Sequence, residues 1–450
     1  MKSSTRTSIE LPDVVCSSTP KKSTLHWPRN ERYKWLTALM LSAALVDITR
    51  LSMSLCIVSI AKELDWDKLE SGLVLSSFFW GYFVTQLPGG FLSDLYGGEI
   101  VLAWAVLGFA VSMIGIPLAV NSTPLLYYSP PVLLVVVLRV CLGFSQGVFF
   151  PSIGSLLGKY LPLSESSFGL SLVCAGGPIG SLLAGSIGSV MVTYLGWRWV
   201  FVSFGCLAIL WVLIWRQFFL HKKASGVDRL CLEKKFESIE KRTSKRASDT
   251  IVPWGKLIRQ PGIWAIMVVH FCHNCMYLNL SSWLPTYFHE SFPDAQNWIF
   301  NVIPYLGNLF GKVIGGHLAD TLIRADFSLT FVRKLFETLG TGGAAFALLL
   351  AMYVNEFWQA LFCMTLAFSM AGMSTSGSIC NIQDLSPTFA GSIAGLVYTV
   401  TSVPGILGVY LTGYILHATG SWQVVFQITA VICSVGSLFY IMFGTTKRIA

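Results

Sequence analysis

Long apolar stretches, separated by short polar segments, dominate the chain from Trp35 onward. Each is close to or beyond the ~20 residues that a helix needs to cross the hydrocarbon core of a bilayer. Glycines inside these stretches would weaken soluble helices, but in a membrane bundle they let helices pack closely. The pattern predicts an all-α membrane protein with twelve transmembrane helices, at 35–60, 71–93, 101–120, 132–157, 166–197, 199–215, 262–288, 298–318, 338–355, 357–383, 391–416 and 422–443.

Composition and charge agree with this pattern. Of the 450 residues, 54% are hydrophobic and only 12% are charged, which leaves too little polar surface for a soluble domain. Lys and Arg are concentrated in the tail 1–34, the central segment 221–261 and the tail 444–450. With six helices between each pair, the three segments share one side, which the positive-inside rule makes the cytoplasm. They lack the interleaved aromatics of a nucleic-acid binder, so we expect the lipid bilayer and no nucleic acid as a partner.

Several motifs recur at one spacing. The sequence Gly-Phe-Leu-Ser-Asp at 90–94 returns as Gly-His-Leu-Ala-Asp at 316–320, an offset of 226 residues. Motifs beginning at Pro178 and Trp197 recur at offsets of 226 and 225 residues. These repeats predict two parallel six-helix halves. The expected organisation is a flexible cytoplasmic tail 1–34, a first half 35–220, a basic cytoplasmic linker 221–261, a second half 262–443 and a tail 444–450.

The repeated loop also has a mechanical interpretation. Its glycines, Gly90 and Gly316, let the chain turn tightly between two helices. Its carboxylates, Asp94 and Asp320, are placed to accept hydrogen bonds from the exposed amides of a neighbouring helix end. We therefore predict that these four residues form a conformational latch that opens when the halves move.

Arg139 is the only charged side chain between Ile100 and Gly158. A charge at the bilayer centre costs about 2.5–3.5 kcal/mol on insertion scales, so it should face a polar cavity, a counter-ion or an anionic ligand. No carboxylate lies on its own helix, which favours the ligand. Arg50 in the first helix is a second candidate, and its alternative role is a local ion pair with Asp47, three residues earlier.

Specific motifs extend these arguments. Segment 77–90 contains Ser-Phe-Phe-Trp-Gly-Tyr and then Thr-Gln-x-Pro-Gly-Gly, and 139–151 reads Arg-x-x-x-Gly-x-x-Gln-Gly-x-x-x-Pro. Segment 381–391 reads Asn-x-x-Asp-Leu-x-Pro-x-x-Ala-Gly. They resemble the anion transporter branch of the major facilitator superfamily, which includes sialin, vesicular glutamate transporters and sodium-phosphate relatives. Within this branch, segments 282–288 and 292–302 are most similar to the vesicular nucleotide transporters.

The resemblance implies a substrate site near the bilayer midplane, between the halves. Arg50 and Arg139 match positions where the branch carries arginine, which suits an anionic ligand. Gln146 replaces a glutamate of proton-coupled relatives and cannot titrate. His273 matches a position where the vesicular glutamate transporters carry an arginine. It is either a cation in an acidic lumen or an ordinary hydrogen-bonded histidine. Tyr82 offers an aromatic face for a base, although packing is the commoner role of such rings.

The expected function is secondary active transport of organic anions by alternating access. Moving one charge through 100 mV is worth about 2.3 kcal/mol, so an inside-positive potential would concentrate a polyanion such as ATP or ADP in vesicles. Glutamate, sialate or phosphate transport, and a proton-coupled carrier of the same fold, remain the alternatives. Uptake driven by a pH gradient rather than by potential would identify the latter.

Other classes of function fit less well. The sequence has no phosphate-binding Gly-x-x-x-x-Gly-Lys-Ser/Thr loop and no evident nucleophile with a base, so we expect no enzyme activity. The cluster from His270 to Cys275 lacks a second group of ligands, so we expect no metal. We expect no cofactor, while the resemblance raises chloride dependence as an open point. We also expect a functional monomer in a secretory-vesicle or lysosomal membrane, with both termini cytoplasmic.

Overall fold

The computed structural model describes residues 29–121, 131–161, 163–220, 254–295, 297–386 and 390–448. All regular structure in these ranges is helical. The predicted flexible tail up to residue 28 and the basic linker from 221 to 253 lie outside the described residues. A one-turn helix, Trp254–Leu257, precedes the second half.

The first half contains six membrane helices. They are α1 (Arg29–Leu64), α2 (Lys68–Tyr96), α3 (Gly98–Asn121), α4 (Pro131–Gly147 and Phe149–Tyr160), α5 (Leu163–Cys174, Gly176–Leu183, the π-helical Ala184–Gly188 and Ser189–Tyr194) and α6 (Trp197–Trp215, then the π-helical Arg216–Leu220). A capping box at Asp67 and Glu70 begins α2, and Gly97, with a φ of 91°, ends it.

The second half repeats this order. Its helices are α7 (Pro261–Ser291), α8 (Asn297–Arg324), α9 (Leu329–Glu337, the π-helical Thr338–Gly342 and Gly343–Ala351), α10 (Phe357–Met373, the 3-10 segment Ser374–Ser376 and Ser378–Leu385), α11 (Ala390–Thr419) and α12 (Trp422–Phe443). The twelve-helix, all-α prediction is confirmed. Two details differ, because α9 begins at Leu329 rather than at 338, and α4, α5 and α10 are interrupted.

Ten described segments are long and apolar enough to cross a membrane. The other two long helices, α2 with 29 residues and α8 with 28, are less apolar. A membrane helix with lower hydropathy usually turns its polar residues towards the bundle interior or a cavity. We therefore expect the polar residues of the functional site to lie along α2 and α8.

The halves meet through α2 with α11, α1 with α7, and α5 with α8. Backbones approach very closely there: a Cβ on Gly413 would lie 2.5 Å from the Lys68 carbonyl oxygen, and one on Gly185 would lie 2.0 Å from the Asn301 carbonyl oxygen. Only glycine fits such contacts, as in other tightly packed membrane helices.

We call the end of the bundle where α1 begins and α12 ends the terminal face, and the other end the opposite face. Polar contacts between the halves lie at the opposite face. Lys68 of α2 pairs with Glu290 of α7, and His417 Nδ1 of α11 lies 3.5 Å from the carboxylate of Asp67. Asn301 donates to the Ser189 hydroxyl at 3.0 Å. The halves are thus fastened together at the opposite face.

Candidate functional site

Arg50 and Asp47 lie on one face of α1 and form an ion pair. Their side chains are 28% and 18% exposed, so the pair is neither sealed in the core nor free on the surface. The pair predicted as the alternative role of Arg50 is therefore present. A partly hydrated pair can exchange its carboxylate for an anionic ligand at far lower cost than a fully buried pair.

Three tyrosines lie near the Arg50 guanidinium. Tyr82 of α2, Tyr277 of α7 and Tyr305 of α8 all lie within electrostatic range of it. The rings of Tyr277 and Tyr305 both pack against Phe368, with centroid distances of 5.6 and 5.2 Å. The aromatic residues of the site thus come from both halves of the bundle.

A second cation reaches the same place from α8. The Lys312 side chain is exposed and lies within electrostatic range of Asp47 and Arg50. Two cations and one carboxylate give the cluster a net charge of +1 when all three groups are ionised. Because Arg50 belongs to the first half and Lys312 to the second, an anion between them would contact both halves.

Arg139 occupies a different environment from the cluster. It is 2% exposed and donates from Nε to the Val74 carbonyl and from Nη2 to the Leu75 carbonyl, each at 3.3 Å. Its Cζ lies 5.2 Å from the centroid of Phe78, whose ring stacks on Tyr82 at 5.6 Å. The guanidinium is held between α2 and α4, one ring away from the cluster.

Gln146 lies between α4 and α1. Its Nε2 donates to the Val46 carbonyl at 3.2 Å and to the Thr49 hydroxyl at 2.7 Å, while its Oε1 is buried with no hydrogen-bond partner in the described part of the chain. The amide therefore binds α4 to the stretch of α1 that carries Arg50. This contact therefore helps to fix the position of Arg50.

His273 is buried at the edge of the cluster. Its ring stacks on Tyr277 with a centroid distance of 6.3 Å. Its Nδ1 lies 3.3 Å from the Ser374 hydroxyl and 3.5 Å from the Thr341 hydroxyl. The histidine is therefore hydrogen-bonded within the second half, and it stacks on a tyrosine that also lies near Arg50.

The four predicted latch residues lie near the terminal-face ends of α2 and α8. Gly90 and Gly316 are half-buried and Asp320 is exposed. The nearest atom that a Cβ would meet is 4.0 Å away in both cases, the Pro151 side chain for Gly90 and the Ser376 hydroxyl for Gly316. The Asp94 side chain lies outside the described side chains. The latch stays a prediction.

The site also contains Lys312, Tyr277 and Tyr305, which are not among the residues predicted from the sequence. A lysine in a membrane helix commonly extends its long side chain to the membrane surface, and tyrosines commonly serve in packing. The signal for Lys312 is the low hydropathy of α8, the same property that marks α2. Trp283, by contrast, is a packing residue, because it is 2% exposed and its indole donates to the Val409 carbonyl at 3.1 Å.

Comparisons with known proteins agree with this architecture. The family model described as the Major Facilitator Superfamily matches residues 38–408. The human (Homo sapiens) voltage-gated purine nucleotide uniporter is 36% identical over 94% of both chains. The chloroplastic ascorbate transporter of Arabidopsis thaliana is 34% identical over 94% of this chain and 77% of its own. A crystal structure of a D-xylose-proton symporter superposes with a TM-score of 0.69 at 15% identity, over 93% of this chain and 99% of that one.

Proposed function

Because this chain belongs to the Major Facilitator Superfamily, we propose that it is a secondary active transporter of organic anions that carries nucleotides, ATP and ADP, by alternating access. The observation that carries this proposal is the cluster of Arg50 and Lys312, one cation from each half, among the rings of Tyr82, Tyr277 and Tyr305. The similarity to a purine nucleotide uniporter over nearly the whole chain supports the choice of substrate.

The two parts of a nucleotide suit the two parts of the cluster. A guanidinium recognises phosphate oxygens through paired hydrogen bonds, and an ammonium adds a mobile point charge. A purine has a flat π-surface that stacks on tyrosine, and base–aromatic stacking contributes about 1–3 kcal/mol per base. The phosphates would therefore lie between Arg50 and Lys312, with the base against one of the tyrosines.

The driving force in this proposal is the membrane potential. A substrate that carries three net negative charges gains about 7 kcal/mol of free energy when it moves through 100 mV, at roughly 2.3 kcal/mol per charge. Gln146, which cannot titrate, supports a carrier that needs no proton at α4. In this proposal the carrier lies in a secretory-vesicle or lysosomal membrane, with both termini on the cytoplasmic side. It works as a monomer without a cofactor.

Uptake by purified protein in liposomes tests the function. We expect labelled ATP to accumulate under an inside-positive potassium-diffusion potential with no pH gradient, and not in its absence. Arg50→Gln should abolish this uptake, whereas Arg324→Gln, which removes an exposed arginine at the end of α8, should not. Accumulation of ascorbate, glutamate or phosphate without ATP would reject the nucleotide assignment and keep an anion carrier.

A further inference from the structure

Glu337 is a carboxylate fully buried within the second half, with an exposure of 0%. It lies at the end of the first segment of α9. No described Lys, Arg or His nitrogen lies within ion-pairing distance of it. The basic residue one turn earlier, Arg333, instead pairs with Asp384 and donates to the Ser376 carbonyl, at 2.7 and 2.8 Å. An ionised carboxylate in such a place is costly unless a proton neutralises it.

Neutral groups supply the contacts of this carboxylate. Thr341 Oγ1 donates to Glu337 Oε1 at 2.7 Å, and the backbone amide of Ser378 donates to Oε2 at 2.8 Å. The same Thr341 hydroxyl lies 3.5 Å from Nδ1 of His273. One hydroxyl therefore bridges a carboxylate and an imidazole, two groups that can each hold a proton.

The backbone is irregular on both sides of this bridge. Thr341 belongs to the π-helical segment Thr338–Gly342, and π-helical turns are frequent at functional sites. Opposite it, α10 is interrupted at Gly377, where a Cβ would lie 2.7 Å from Glu337 Oε2. The glycine lets the carboxylate approach the start of the segment Ser378–Leu385. Two adjacent helices thus depart from α-helical geometry where the carboxylate lies.

Other titratable groups around Glu337 are uncharged or already paired. Tyr440 and Cys433 of α12 lie within electrostatic range, and the Tyr440 hydroxyl accepts from Asn381 Nδ2 at 2.8 Å. Asp384 of α10 is paired with Arg333. Towards the cavity, Lys312 of α8 and His270 of α7 lie within electrostatic range of His273. Among these described groups, His273 is the one that the Thr341 hydroxyl joins to the carboxylate, and its ring stacks on Tyr277 of the cluster.

We propose that Glu337, Thr341 and His273 form a site for one proton, and that anion binding between Arg50 and Lys312 is linked to its occupancy. This inference rests on the proposed function for its ligand. Without the proton, the pair carries one uncompensated negative charge, which opposes an anion in the cavity. With the proton, the pair is neutral overall, as a carboxylic acid beside imidazole or as a carboxylate beside imidazolium.

Conversion between the two protonated forms is a balanced proton transfer. In the acid form the Thr341 hydroxyl turns towards His273, so that it accepts from the protonated Oε1 of Glu337 and donates to Nδ1 of His273. The Glu337 carboxyl then gives its proton to Thr341 Oγ1, while the original hydroxyl proton passes to His273 Nδ1. The O–H bond of the acid and that of the hydroxyl break, and a new O–H bond and an N–H bond form. An anion in the cavity favours the second form, because the new positive charge is then closest to it.

Isothermal titration calorimetry of ATP binding to the full chain in nanodiscs tests the linkage. Titrations in two buffers of different protonation enthalpy, corrected for the ionisation of ATP, count the protons taken up with the nucleotide. We expect up to one proton for the unmodified protein, and an affinity that falls by up to about tenfold per pH unit as the site empties. Glu337→Gln and Thr341→Val should bind ATP with proton uptake near zero. Thr429→Val is the matched control, because Thr429 is a buried threonine whose hydroxyl donates to the Val425 carbonyl of its own helix at 2.8 Å.

The outcomes separate the linkage from the transport assignment. Equal proton uptake in the unmodified protein and Glu337→Gln would overturn the linkage even if ATP binds well. Absence of ATP binding in the unmodified protein would reject the proposed function instead. Infrared difference spectra between acid and alkaline samples then test the proton site without a ligand. Other acidic residues contribute equally to both proteins, so one component of the carboxylic acid carbonyl band should be present in the unmodified protein and missing in Glu337→Gln. Identical bands in the two proteins would reject the site.

Discussion

In the proposed function Asp47 competes with the substrate for Arg50, so we expect Asp47→Asn to bind nucleotide more tightly. Two unit charges 4 Å apart attract each other by about 4 kcal/mol at an effective dielectric constant near 20 and by about 1 kcal/mol in water. The exposure of the two side chains, 28% and 18%, places this pair between those limits. A value of about 2 kcal/mol corresponds to roughly a 30-fold lower dissociation constant. The Asn amide oxygen still accepts from the guanidinium, so Arg50 keeps its direction.

Equilibrium binding of labelled ATP to purified protein at fixed pH and salt measures this effect. Asp326→Asn is the matched control, because Asp326 is exposed in the loop between α8 and α9. Its φ of 60° is also one that Asn adopts readily. The control should change affinity little. A weaker affinity in Asp47→Asn would refute the reasoning, because the carboxylate would then be needed to form the anion site rather than compete with it.

Three further substitutions test other parts of the mechanism. Arg139→Ala should abolish potential-driven ATP uptake while the protein still inserts and remains monodisperse, because its contacts to α2 place Phe78 and Tyr82 beside the cluster; an active variant would contradict this role. Lys312→Ala should weaken ATP binding about tenfold, or about 1.4 kcal/mol, but weaken a monovalent anion less; equal losses for both would count against a bridging cation. Lys68→Glu should open the opposite face, increasing thiol labelling of a cysteine placed at Ala61, and adding Glu290→Lys should reverse the effect. A partly exposed pair contributes about 0.2–1 kcal/mol, so a change of a few-fold is expected, and unchanged labelling would exclude a gating role.

The order of the helices and the two halves could be predicted because hydrophobic length and motif spacing determine them directly. The rotation of each helix about its own axis could not. Arg139 follows the run Pro-Val-Leu-Leu-Val-Val-Val-Leu, which is apolar all around and gives no polar face to orient it. The contacts that direct its side chain to the Val74 and Leu75 carbonyls come from a different helix. Only the packed bundle reveals them.

The sequence does not indicate a role for Glu337, for a related reason. An apolar scan starts α9 at residue 338, whereas the helix begins nine residues earlier with the amphipathic segment Leu329–Glu337. The hydrophobic pattern therefore assigns Glu337 to a loop. Its burial depends on α10 and α12, which pack against the π-helical segment that follows it. Tyr277 and Tyr305 are two of many aromatic residues in a chain with 13% aromatics, and only their position near Arg50 in the packed bundle distinguishes them.

Because Arg50 and Lys312 belong to different halves, an anion can bind to the carrier without being transported by it. In the proposed function, a polyanion that reaches both Arg50 and Lys312 acts as a temporary cross-link and pulls the halves together around itself. A short anion that satisfies Arg50 alone would occupy the cavity without pulling them together, and would block the carrier as an inhibitor rather than cross the membrane as cargo. Discrimination by length would then occur at closure, so that binding affinity and transport rate rank the same anions in different orders.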